Sequence, residues 1–158
     1  MNIFYLDHDA RKCAEMHNDK HVVKMILEYA QLLSTAHRIL DGVLSVGVSA
    51  SGRKKTVYVL ADHRDATLYS ATHVNHPSAV WVRQSAQNYM WLAELLEECC
   101  KEYTHRYDKV HKVERDGLMQ ALKNQFPTNI PDGPFTEPTP AMPEDVKVLR
   151  EVYTDRYE

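Results

Sequence analysis

The 158 residues contain no C-x-x-C pair, no glycine-rich phosphate loop and no G-x-S-x-G elbow. These absences argue against a zinc knuckle, exclude a P-loop nucleotide site and exclude an α/β-hydrolase nucleophile. The three cysteines, two of them adjacent (Cys99, Cys100), fit no disulfide framework and point to a reducing cytoplasm. No apolar run reaches the roughly 18–20 residues of a membrane span, and mean hydropathy is −0.49. Residues 1–9 lack the basic start and apolar stretch of a secretory signal, so export is not expected. Neither sign of charge dominates: 19 Lys and Arg against 22 Asp and Glu give a net charge of −3. That argues against a basic nucleic-acid coat protein and leaves room for an enzyme with a locally basic cleft.

What is present suits one ordinary domain over residues 1–158, with 44% hydrophobic residues to build a core and 26% charged residues to keep it soluble. Histidine is abundant. There are nine, at His8, His17, His21, His37, His63, His73, His76, His105 and His111, and it is the side chain that titrates near neutral pH, ligates metals and moves protons.

The coarse organisation is helical. Residues 1–6 read as a strand or an extended N-terminal arm. Asp9 caps a helical pattern over residues 10–40. Residues 41–55 hold three of the five glycines and three serines, and read as a loop ending in the basic cluster Arg53, Lys54, Lys55. Residues 56–72 are ambiguous, since Val57, Val59 and Leu60 favour strand whereas residues 61–72 favour helix. Pro77 suits a first helical turn, with His76 or Asn75 as cap, and that helix should run over residues 78–103. A weaker helix covers 109–124. Residues 127–143 carry six of the seven prolines and read as an extended arm, followed by a short helix over 144–157. The expected fold is mostly α, a single-domain bundle of three to five helices with a Pro-rich extended C-terminal arm.

On the first helix, Val22, Met25, Ile26, Tyr29, Ala30, Leu32 and Leu33 share one face, and Val23 and Leu27 widen it. Opposite them His17, His21, Lys24, Glu28, Gln31, Thr35 and Arg38 alternate steps of four and three, making one straight row. A solvated face is the ordinary meaning of such a row. A helix apolar around most of its circumference is buried on most sides, however, so the narrow polar row is expected to line a cleft. Lys24, lying between His21 and Glu28, is placed to act as a desolvated amine. On the helix that begins near Ser78, Trp81 and Tyr89 lie on the apolar face, and Asn88 among them is either a structural tie or part of a polar pocket.

The segment Thr72–Arg83, THVNHPSAVWVR, is the densest group of chemistry-bearing residues. His73, Asn75, His76 and Arg83 gather at an expected helix N-terminus, where a phosphate would be favoured by the N–H groups and the dipole. Trp81 could stack a base there. His17 and His21, four apart, with Glu28 and either His76 or Asp65, make a divalent-metal set for the alternative of a nucleotide phosphohydrolase. The run E94-x-x-E97-E98-x-x-x-E102 loosely resembles the acidic helix of all-α nucleoside-triphosphate pyrophosphohydrolases of the MazG type, without their second acidic cluster.

Several short motifs taken together, MNIFYL at the start, the striped helix, Asn75-His76-Pro77, EYTHRYDK and a Tyr-rich end VYTDRYE, resemble the small all-α pyrimidine-dimer DNA glycosylases of the phage endonuclease V type. The segments DKHVVKMILE and NHPSAVWVRQS also resemble stretches of phage proteins, which would place the chain in a host cytoplasm. The resemblance covers most of the chain and implies excision of a damaged or modified base from DNA without a cofactor. It further implies attack of an N-terminal amine on the sugar C1′ with a glutamate assisting, the matching positions being Asn2 and Glu28. Since initiator Met is poorly removed before Asn2, Lys24 is the alternative amine, with His21 beside it. The substrate contacts expected from the polar row, the Thr72–Arg83 segment and the second helix are His17, Gln31, Arg38, His73, Asn75, His76, Trp81, Arg83, Asn88 and Tyr89. A binding protein that sequesters a nucleotide or a host protein is the non-enzymatic alternative, and a homodimer is compatible with either.

Overall fold

The computed structural model describes residues 2–138. Within them, helices dominate, as the apolar periodicity predicts, and a small two-stranded sheet is added. The first expected helix is two. Asp9 accepts from Lys12 N and opens α1 (Ala10–Glu15). The chain then leaves helical geometry, and Asn18 Oδ1 accepts from His21 N at 2.8 Å to start α2 (Asp19–Asp41). A second good cap within the pattern is the physical reason for the break.

α2 stops at Gly42, where a Cβ would lie 2.4 Å from Arg38 O. The expected loop over 41–55 is instead most of a hairpin. β1 (Val43–Val48) pairs antiparallel with β2 (Lys54–Val59), in a register running from Val43↔Val59 to Val48↔Lys54. Its turn is closed by Ser49 N donating to Arg53 O, with Gly52 at positive φ. The glycines and serines hid the β-branched Val43, Val46 and Val48, which is the composition of a strand.

A short α3 (Arg64–Thr67) leads to α4 (Pro77–Val82), whose cap is His76 as expected, and α5 (Ala86–Tyr107) comes next. The single helix expected over 78–103 is thus broken at 83–85, because Ser85 caps α5 by accepting from Asn88 N. The weak helix expected over 109–124 resolves into α6 (Lys112–Arg115) and α7 (Leu118–Asn124). The helix expected over 144–157 lies outside the described residues.

The core forms where α2 packs on α5, with α1 and α7 against α5 and α4 against α2. Ile26, Tyr29, Leu32, Leu33, Tyr89, Leu92, Leu95 and Leu96 are fully buried there. The described part of the Pro-rich arm lies back on this core. Ala86 N donates to Pro131 O, Ser85 Oγ to Pro134 O and Trp81 Nε1 to Thr136 O. The Phe135 ring sits 5.9 Å from those of Tyr5, Trp81 and Trp91. Among the described residues, no helix is long and apolar enough to cross a membrane.

Candidate functional site

The polar row of α2 is covered at both ends by the protein itself. At the near end Phe4 lies over the row: it stacks on His21 with ring centroids 4.4 Å apart and meets His17 edge-on. His17 lies in the turn before α2, not on it, and is 2% exposed. Its Nδ1–H donates to Cys13 O at 2.7 Å, so Nε2 is the acceptor for the Tyr29 hydroxyl at 2.8 Å. The Tyr29 oxygen in turn accepts from Phe4 N. Burial lowers the pKa of His17 to about 4. With both ring nitrogens engaged, His17 is neither a substrate contact nor the first member of the His17–His21–Glu28 metal set.

At the far end Arg38 is buried and spends its guanidinium on the chain. Nε donates to Tyr69 O, Nη1 to Tyr58 O and Asp65 Oδ1, and Nη2 to Asp65 O and Leu68 O, all within 2.9 Å. All five donors are used, so Arg38 staples the segment 58–69 rather than contacting a ligand. Thr35 Oγ1 accepts from Thr72 N at 3.2 Å, which brings the His73–His76 turn alongside the helix one turn beyond Gln31.

Between these ends lie the residues with chemistry to offer. Glu28 is largely buried, its side chain 16% exposed, and its carboxylate is 3.9 Å from Lys24 Nζ. Lys24 itself is 64% exposed, so the expected desolvation of this amine is corrected. Gln31 is half-buried. His21 has its pKa lowered, first by burial and then by Lys20 and Lys24. His76 is lowered too, by burial first and then by the positive charge of the chain's amino terminus. His76 Nδ1 accepts from Ser78 N at 3.1 Å, leaving Nε2 to carry the proton. His73, at positive φ, and Asn75 are exposed.

The expected phosphate site at a long helix start is overturned. α4 has six residues, too few for a useful dipole, and its Ser78 N–H is already met by His76. Arg83 donates to Val74 O, and burial lowers its pKa. The expected base-stacking pocket is likewise core. Trp81 is buried with its N–H on Thr136 O. Asn88 donates to Trp81 O and Thr136 Oγ1 and accepts from Thr136 N, so it is the structural tie. Tyr89 is fully buried and donates to Leu122 O.

One polar centre carries no motif in the sequence. His37 Nε2–H donates to Tyr89 Oη at 2.7 Å, and its Nδ1 accepts from Arg64 Nη1 at 2.9 Å. Burial, then Arg64, lowers its pKa to about 4. Its position at about 60° on the wheel, inside the apolar arc, is the signal that could have found it. Elsewhere, a hollow of about 570 Å³ is lined by His8, Trp91, Glu94, Glu98, Lys123 and Phe135, among others. Its acidic face is partly neutralised, Glu97 pairing with Lys123. Among the described residues no group of three or more His, Cys, Asp or Glu is arranged to hold a metal ion.

The geometry defines a mostly helical protein with a buried-ended polar row. No known protein family, characterised protein or solved structure matches the chain.

Proposed function

We propose that the row between His21 and Gln31 is the reacting centre of a DNA N-glycosylase with lyase activity, with Lys24 as amine and Glu28 as its proton partner. The observation that carries this reading is the pairing of a largely buried carboxylate with an accessible amine 3.9 Å away, on a row whose two ends are closed by the chain itself. The amine, after passing a proton to Glu28, bonds to the sugar C1′ while the C1′–N bond to the base breaks and its electron pair leaves with the base. The second amine proton passes to the departed base anion, the C1′–O4′ bond breaks to open the ring, and O4′ takes the proton from Glu28 as the protonated imine forms. Gln31 follows Glu28 on the same helical row, and the Thr35–Thr72 hydrogen bond ties the turn that holds His76 to that row, so both are assigned to contact with the displaced base.

Borohydride reduces the imine to a stable secondary amine. Full-length protein incubated with duplexes bearing a damaged pyrimidine or an abasic site should yield a trapped protein–DNA adduct. Lys24→Gln and Glu28→Gln should each reduce its rate at least 100-fold, the scale of a general acid–base contribution of about 10²–10⁴. The absence of any adduct on any of these duplexes defeats the reading.

The chain's α-amine is the second candidate nucleophile. It is favoured by the placement of Phe4, three residues from that amine, against His21 and Tyr29 of α2. An adduct that survives Lys24→Gln and vanishes on N-terminal acetylation assigns the role to it.

A further inference from the structure

The β1–β2 hairpin is attached to the body at its root only. Val43, Leu44, Val46 and Val48 are exposed, the last two at 73% and 74%. By the register, Leu44, Val46 and Val48 share one face with Tyr58, Thr56 and Lys54, while Val43, Ser45 and Gly47 share the other with Val59, Val57 and Lys55. Among the described residues, both outer edges carry backbone groups with no strand beside them, so the ribbon is open to a partner on either side.

The charge of the ribbon says what that is. Residues 42–60 contain no Asp or Glu and hold Arg53, Lys54 and Lys55 together at the tip, in a chain of net charge −3. All three are exposed. A run of cations without acids complements a polyanion, and a two-stranded ribbon is narrow enough for the major groove of duplex DNA, about 12 Å wide.

We propose that the β1–β2 ribbon is a duplex-DNA-binding arm, with Arg53, Lys54 and Lys55 on phosphates and the Leu44, Val46, Val48 row against the groove wall. It extends the nucleic-acid reading of the α2 row to a separate surface. Its test needs no chemistry at that row.

The probe is an unmodified 25-base-pair duplex, titrated with full-length protein by fluorescence anisotropy over a salt series. The triple variant R53Q/K54Q/K55Q changes only exposed side chains, and its melting should match that of the parent. Its affinity near 100 mM salt should fall at least ten-fold. The slope of log affinity on log salt should become shallower by between about 2 and 3, near 0.9 for each phosphate that is no longer neutralised. Val46→Lys should weaken binding, because the row lies against the groove wall; retained or stronger binding overturns that contact. Unchanged affinity and slope in the triple variant overturn the proposal. So does a dimer that Val46→Lys disperses, which would make the ribbon's occupant a second copy. A trapped adduct with an unaffected triple variant sinks the ribbon alone, while salt-dependent binding through the ribbon without an adduct sinks the glycosylase reading alone.

Discussion

At the residue scale, polarity and availability part company. His17 and Arg38 stand on the same sequence row as Glu28, yet every donor and acceptor they carry is spent within the chain. The row was legible from spacing. Which of its members had backbone carbonyls waiting for them was not, because those carbonyls belong to Cys13 and to residues 58–69, brought there only by folding.

The two buried histidines set a pH dependence. Each is held near 4 against an ordinary 6.5, chiefly by burial. The unfolded chain therefore binds more protons than the native one between those values. The stability they contribute is fully present above pH 6.5 and is lost as pH falls from 6.5 towards 4. Each is worth on the order of 3 kcal/mol across that interval, by the 1.36 kcal/mol attached to one pKa unit. Urea midpoints measured at half-unit steps should fall over that interval, and His17→Gln should flatten the curve by close to one proton. A curve in His17→Gln with the parental slope would show that His17 is not held neutral.

At the scale of elements, caps decide what periodicity cannot. Helix content was legible because apolar residues recur at helical spacing over residues 10–40 and 78–103. The breaks at 16–18 and 83–85 were not, because a capping Asn or Ser within an apolar pattern is silent until its neighbour turns away. Asn18→Ala removes the acceptor for His21 N and should cost about 1 kcal/mol, the usual value of a lost N-cap. That change should also loosen the approach of α1, measurable as faster amide exchange over residues 12–22. No change in exchange there would mean the α1–α2 corner is held by Cys13 and His17 alone. The hairpin was illegible for the opposite reason. Its glycines and serines spell loop, and its valines pack against nothing that would have produced a buried pattern.

At the scale of the whole molecule, the C-terminal arm is pinned to the core through Pro134, Phe135 and Thr136. Asn88 gathers three bonds, two of them to Thr136 backbone and hydroxyl and the third to Trp81 O. Asn88→Ala strands these groups and should cost about 2–4 kcal/mol, from unsatisfied buried polar groups that typically cost about 1–3 kcal/mol each. The arm is the part that lets go first, so limited proteolysis of Asn88→Ala should cut within 126–137 well before the helices. Cleavage starting in α5 instead would place the weak point elsewhere.

α2 runs unbroken from Glu28 to Asp41, and the ribbon leaves from the next residue. Asp41 bolts that junction, accepting from Arg64 Nη1, Thr128 N and Asn129 N within 2.9 Å. Thirteen residues of helix measure about 20 Å, close to six base-pair steps of about 3.4 Å. On the readings proposed above, the helix is a rigid spacer between the Lys24–Glu28 pair and the ribbon's root, and the basic tip stands a further six-residue strand away.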